Sequence, residues 1–413
     1  MSTVRTIFQQ SDFRRRLLVA VLIVFIFRFG AHIPLSFVDI DRIGSLFQAG
    51  SALGFLNVVS GGGLSRFSVL SLGILPFINA SIIMQLLVLS FPSLKTLQDE
   101  GESGRKQIAQ YTRYLAVLLS VIQSIVLVVG LGGLVAKPSV GFFDYLMAVI
   151  SLVAGSSLVM WLGELLTERG FGNGSSILIF CGILSSLPAD FRSIYILLSA
   201  GTSVLNVLFF FFLLGGLLFG IVISQEAVRR VSTTFIRRVS GNQSSVSKSH
   251  SYIPFKLINS GIMPIIFASA ALQLPALVAQ LHPRLVHLVA PLSNPDGFYH
   301  GLFLILLIFF FSYFYNAVTF NPSELAHNLN RQACIVGNVR PGSDTVVYLD
   351  RVISYLTLIG AVILSAVSVI PSVAKWASGV SVVGLGGTSL LIVVGVALEM
   401  VRHVKTYFVS NSY

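Results

Sequence analysis

Glu164 and Glu168 lie four residues apart beside Arg169, a spacing that could pass a proton between carboxylates. They fall at the edge of an apolar run, where charged side chains are ordinarily solvated. Gly170-Phe171-Gly172-Asn173-Gly174 has the glycines of a dinucleotide loop, but no strand precedes it, so it reads as a turn between two helices. Cys181 stands in an apolar run and Cys334 in a polar one, which gives neither a disulfide framework nor metal-ligand spacing. The chain has no His-Glu-x-x-His, Walker loop or Gly-x-Ser-x-Gly elbow. No Asp or Glu falls near the centre of a predicted span, which speaks against an ion-coupled transporter and an intramembrane aspartyl protease. The expectation is a non-enzymatic protein with no cofactor and no metal.

What remains is organised around residues 60–113. A glycine run, Gly61-Gly62-Gly63, opens directly into an apolar segment broken by Gly73, Pro76, Asn79 and Gln85. A segment without side chains can pack closely in a pore and leave it at little cost. Ile74, Ile78 and Ile82 recur every four residues with Gln85 near the same helical face. A plain membrane anchor would not carry a proline and two amides, so this helix should face protein or water on one side. The stretch then passes through a hydrophilic loop, residues 99–106, toward Arg113.

The elements that must position these residues are membrane spans. Of the 413 residues 54% are hydrophobic and only 10% charged, with a mean hydropathy of +0.86. Soluble domains carry about a quarter charged residues. Ten apolar segments follow: 17–33, 67–91, 114–135, 142–166, 175–187, 205–224, 257–281, 301–320, 352–370 and 380–401, the fifth being short. Arg14-Arg15-Arg16 precedes a retained first helix rather than a cleaved signal. The net charge of +11 is distributed by loop, 20 basic residues on one side and 6 on the other, with Arg28 inside the first span. That asymmetry places both termini on the cytoplasmic or stromal side. Two five-span halves, 1–190 and 191–413, would then be inverted, a common transport design. Two long loops, 225–256 and 321–351, protrude on the cytoplasmic side as contact surfaces, neither apolar enough to form a core.

Several blocks resemble SecY, the channel subunit of the protein translocase. They are Ser60-Gly-Gly-Gly-Leu-Ser-Arg66, Leu72-Gly-Ile-Leu-Pro-Phe-Ile-Asn-Ala-Ser-Ile-Ile-Met-Gln-Leu86, Glu100-Gly-Glu-Ser-Gly-Arg105, Gln110-Tyr-Thr-Arg-Tyr114 and Met160-Trp-Leu-Gly-Glu164. Thr167-Glu-Arg-Gly-Phe-Gly-Asn-Gly174, Gly261-Ile-Met-Pro-Ile-Ile-Phe-Ala-Ser269, Phe320-Asn-Pro322, Val339-Arg-Pro-Gly342 and Gly386-Gly-Thr-Ser-Leu-Leu-Ile-Val393 complete the series in family order over nearly the whole chain.

The resemblance implies an all-α polytopic fold, ten transmembrane helices in two pseudo-symmetric halves around an hourglass pore. It implies a pore ring of Ile74, Ile78, Ser175, Ile179, Ile266 and Ile392, with Ser175 in place of the usual isoleucine. A plug at about 55–66 would include Ser60, Gly61, Gly62, Gly63, Leu64 and Arg66. A lateral gate between the second and third and the seventh and eighth helices would carry Asn79, Gln85, Gln123 and Asn259, the last one place later than the family's usual asparagine. Arg229, Arg230, Arg237, Arg238 and Arg340 would dock a SecA motor or a ribosome. Partners would be SecE-like and SecG-like small subunits, secretory and membrane protein substrates, and the bilayer of a bacterial plasma membrane or a plastid thylakoid. An aliphatic collar suits such a pore, since it forms no hydrogen bonds with a passing chain and dewets when empty. The competing classes are a secondary transporter, which needs a polar midplane site, and a poreless scaffold, which needs no glycine plug.

Overall fold

The computed structural model describes residues 11–35, 38, 57–135, 141–170, 172–199, 201, 203–238, 246–258, 261–279, 289, 291–292, 297–332, 334–337, 339–379 and 386–411. Helix α1 (Ser11–Gly30) is followed by a single 3-10 turn, Leu64–Arg66. Then follow α2 (Leu75–Ser90), α3 (Pro92–Asp99), α4 (Glu102–Val135), α5 (Phe142–Arg169), α6 (Gly174–Ser199) and α7 (Val204–Glu226). Strands β1 (Val228–Arg238) and β2 (Val246–Lys256) precede α8 (Met263–Ala279) and α9 (Phe298–Thr319). The chain ends with α10 (Pro322–Arg331), β3 (Cys334–Val336), α11 (Ser343–Ser378) and α12 (Gly387–Asn411).

Among the described residues seven helices are long and apolar enough to cross a membrane, or eight if α2 and α3 count as one bent span. Their outward faces are greasy: Leu205, Leu208, Phe212 and Phe219 on α7 are all exposed, as lipid-facing side chains are. The protein is a multi-pass membrane protein. One large apolar core joins α1, α2 and α4–α9 to α11 and α12.

Several elements depart from the sequence expectation. Residues 67–74, expected within the second span, are turns; Phe67 (φ 47°) and Gly73 (φ 53°) both take left-handed backbone. The helix starts only at Leu75, with Pro76 in its first turn, where a missing N–H costs nothing. Residues 99–106, expected as a loop, are mostly helical: α3 bends 101° from α2 at Phe91, and α4 begins at Glu102. The fifth segment, expected to be short, is a 26-residue helix that continues through Pro188, so residue 190 lies inside α6. Ser185 and Ser186 donate their hydroxyls to the carbonyls of Gly182 and Ile183, which satisfies these polar groups without breaking the helix.

The two long loops also build a core of their own. β1 pairs antiparallel with β2 (Val231 opposite Ile253) and with β3 (Thr234 opposite Ile335), giving the order β2-β1-β3. Val231, Phe255, Leu329, Val336, Leu349 and Ile353 form a second buried cluster beneath this sheet. Helix α11, ~54 Å long, is longer than a bilayer's hydrocarbon is thick, and its first turns supply Leu349 and Ile353 to that cluster. The Phe13 ring lies 6.4 Å from that of Tyr407, tilted by 41°, and Arg402 reaches Glu226, so the start of α1 and the end of α12 lie at the hairpin end of the bundle. The turn region after Gly30 is therefore at the opposite end.

Candidate functional site

Five of the six expected ring residues are buried in the large core: Ile74, Ile78, Ile179, Ile266 and Ile392 are between 1% and 6% exposed. They come from α2 and its preceding turn, α6, α8 and α12, and α8 packs on both α2 and α12 while α12 packs on α6. Ser175, the sixth, is half-buried at the start of α6, where the Asn173 carboxamide oxygen accepts from its backbone N–H at 3.1 Å. The Ile74 Cδ1 and Ser175 Oγ both approach Gly163 on α5, lying 3.3 and 3.6 Å from where a Cβ would stand. Around Gly163 the neighbours are thus the branched aliphatic side chains of Ile74 and Leu178 and the Ser175 hydroxyl.

On the hairpin side a recess of about 610 Å³ opens directly above these residues. Its walls include Ser176, Ile262 and Gly395, which lie next to Ser175, one turn before Ile266 and one turn after Ile392. Higher up it becomes charged, with Lys256, Glu399, Arg402 and His403. Arg402 Nη2 donates to the Gln225 carbonyl at 2.7 Å and pairs with Glu226 at 2.9 Å, fastening α12 to α7. Burial pulls the Lys256 amine below its ordinary value; Arg402 adds to the pull, and Glu399 and Glu226 oppose it.

On the other side sits the glycine run. Ser60 Cα would lie 3.4 Å from a Cβ on Gly73, the residue before Ile74. A Cβ on Gly182, one turn after Ile179, would stand 2.7 Å from the Val59 carbonyl oxygen, so only glycine lets this loop sit against α6. Gly61 and Gly62 take φ of +69° and +82°, and Ser60, Val59 and Leu64 are buried while Arg66 is exposed. The expected plug residues 55 and 56 lie outside the described residues. The isoleucine level is thus enclosed between an open recess and a seated loop.

A seam runs beside it. Asn79 and Gln85 on α2 and Gln123 on α4, two helices that both pack on α8, each have a buried polar atom with no hydrogen-bond partner among the described residues. Gln273 on α8 and Ser312 and Asn316 on α9 share this condition. A buried orphaned polar atom costs about 1–3 kcal/mol, so those of Asn79, Gln85 and Gln123 weaken the packing of α2 and α4, whereas Asn316 is turned toward α11, where its Nδ2 donates to Thr357 Oγ1 at 2.7 Å. Gln85 also lines a groove of about 260 Å³ between α2 and α4, closed by Val318 of α9. Asn259, expected here, lies outside the described residues.

The family model of SecY matches residues 68–401. The chain belongs to the SecY family. The protein translocase subunit SecY of Synechococcus elongatus is 40% identical over 418 residues, covering 98% of this chain and 94% of that protein. In fold the chain matches a structure described as that of a protein conducting channel, with a TM-score of 0.71 at 16% identity over 96% of this chain and 93% of the other. It also matches Sec61 in the canine ribosome-channel complex from the endoplasmic reticulum, with a TM-score of 0.67 at 15% identity and the same coverages. The fold is that of the SecY channels.

In this SecY chain the expected docking arginines divide. Arg229 and Arg230 are exposed on β1, and the Arg230 guanidinium lies 4.8 Å over the Tyr252 ring, which holds it rigid. Arg237 and Arg238 continue the same strand, their side chains lying outside the description. Arg340 is exposed in the turn between β3 and α11, its carbonyl accepting from Thr345 Oγ1 at 2.8 Å. Glu164, the candidate relay carboxylate, pairs at 2.7 Å with Arg113 of α4, which ties α4 to α5. Sequence reading missed Gln273, Ser312 and Asn316. Their only signal was a polar residue within an apolar run, and for Ser312 and Asn316 a four-residue spacing.

Proposed function

We propose that this chain is the protein-conducting subunit of a translocase, passing unfolded polypeptides through the ring and releasing apolar segments sideways through the α2/α4–α8/α9 seam. The observation that carries this reading is the stacking of recess, isoleucine level and seated glycine loop along one path. Ile74, Ile78, Ile179, Ile266 and Ile392, with Ser175, are the seal, and residues 55–66 are the plug. Asn79, Gln85, Gln123 and Asn259 belong to the lateral gate, and Gln273 of α8 is added to it. Aliphatic side chains yield to passing residues of any shape, whereas a charged collar would discriminate among them. A secondary transporter would need a polar cradle at this level, and the six ring residues are aliphatic apart from Ser175.

The two halves, in this reading, join at the connection between α6 and α7, and both termini are cytoplasmic or stromal. The membrane is a bacterial plasma membrane or a plastid thylakoid. No group in the chain supplies driving energy, so a SecA-like motor or a ribosome docks on the hairpin sheet and Arg340, while SecE-like and SecG-like small subunits brace the helices. Reconstituted vesicles test this: the chain with its membrane partners and motor should carry a precursor protein into the lumen. Arg340→Glu should lower that motor-driven import about tenfold or more, since like-charge juxtaposition costs several kcal/mol, while leaving assembly in the membrane intact. Import unchanged by the substitution would remove Arg340 from the docking surface, and no import by the unaltered chain would remove the channel reading.

A further inference from the structure

The only Lys or Arg inside the first span is turned inward. Arg28 stands two residues before the end of α1, and its Nη1 donates to the carbonyl of Gly61 at 2.6 Å. That carbonyl belongs to a left-handed glycine turn pressed from both sides. A Cβ on Gly61 would lie 3.3 Å from Arg28 Nη1, 3.4 Å from Phe27 Cε1 and 3.5 Å from Gly182 Cα of α6. The turn's other hydrogen bonds among the described residues are local. Gly62 N donates to Asn57 O at 2.7 Å, Ser65 N to Asn57 Oδ1 at 2.8 Å, and Ser71 Oγ to Gly63 O at 3.1 Å. The loop is therefore tied to itself and can move as a unit. Its one described hydrogen bond to a separate helix is the one from Arg28.

A long cationic side chain near a helix end would ordinarily reach for water at the membrane surface. Here the guanidinium spends a donor on a backbone carbonyl, and an ionised donor makes such a bond short and strong. We infer that Arg28 is a latch for the plug: a positioning residue whose bond to Gly61 holds the loop in its seat and must break before the pore opens. This rests on the reading of residues 55–66 as a plug.

The test measures resting ion conductance of the chain in planar lipid bilayers, for Arg28→Met, for a deletion of residues 57–64, and for both together. Losing one charge-assisted hydrogen bond to the loop raises the unseated fraction, and so the leak, on the order of tenfold. Arg28→Lys, which keeps a charged donor, should leak less than Arg28→Met. Should Arg28→Met not assemble, Arg28→Gln, with a neutral donor, takes its place with a smaller rise expected. In the deleted chain the Arg28 substitution should add nothing, because the latch has nothing left to hold. An unchanged leak in Arg28→Met or its substitute, with a raised leak in the deletion, overturns the latch and leaves the plug reading standing. The same added factor in both backgrounds also overturns it, since Arg28 would then only brace α1. A deletion that does not leak removes the plug reading and the latch together.

Discussion

Deleting residues 55–64 should raise the resting ion conductance of the reconstituted channel by at least an order of magnitude and let precursors with weakened signals through. The loop is seated close against its neighbours: its backbone approaches Gly182 and Gly73, and the Gly61 carbonyl accepts from the Arg28 guanidinium. Val58, Val59 and Leu64 are buried with the isoleucines in one apolar cluster. Taking the loop away removes that apolar cover and leaves the isoleucine level to seal alone. The rest of the fold should survive, because most of the loop's hydrogen bonds are within itself. Single-channel recordings that show the same quiet baseline before and after deletion would contradict the assignment.

The second large effect is expected at the ring. Ile78→Asn together with Ile266→Asn should turn a dry constriction into a hydrated one, because a narrow pore holds back ions by dewetting only while its wall is apolar. Both residues are buried, and α2 and α8 pack against one another. The double variant alone should leak modestly, since the loop still covers the opening. Combined with the loop deletion it should leak more than the sum of the two separate effects, because each barrier masks loss of the other. Purely additive conductances would mean that loop and isoleucines do not guard the same path.

How much of this could be read beforehand varies by element, for physical reasons. The glycine run and the four-residue spacing of Ile74, Ile78 and Ile82 were visible in the residues themselves, whereas Ser175, Ile179, Ile266 and Ile392 came only with the family resemblance, because they stand far apart in sequence and share no pattern. The length of α6 was hidden. Pro188 and Asp190 read as an end to hydrophobicity, but the helix runs through them to Ser199, with Ser185 and Ser186 bonded back onto it. The sheet was hidden too, since a run rich in Arg, Ser and Lys reads as loop. The partners that make it a layer, Val231, Phe255, Val336 and Leu349, come from well separated positions. Single polar residues such as Gln273 and Ser312 carry no motif, and only burial shows them, like Asn79 and Gln123, with a polar atom unpartnered among the described residues. The bend at Phe91 arises where Pro92 starts a new helix across the direction of the old one.

The central claim is that a polypeptide in transit passes between the buried isoleucines. A photoreactive residue placed in turn at Ile78, at Ile266 and at lipid-facing Phe212, with a precursor chain stalled in mid-passage, addresses it directly. The expected result is strong crosslinking of the stalled chain to positions 78 and 266 and none to 212. Crosslinks from 78 and 266 only to neighbouring helices or lipid, in channels that still carry the stalled chain, would contradict it.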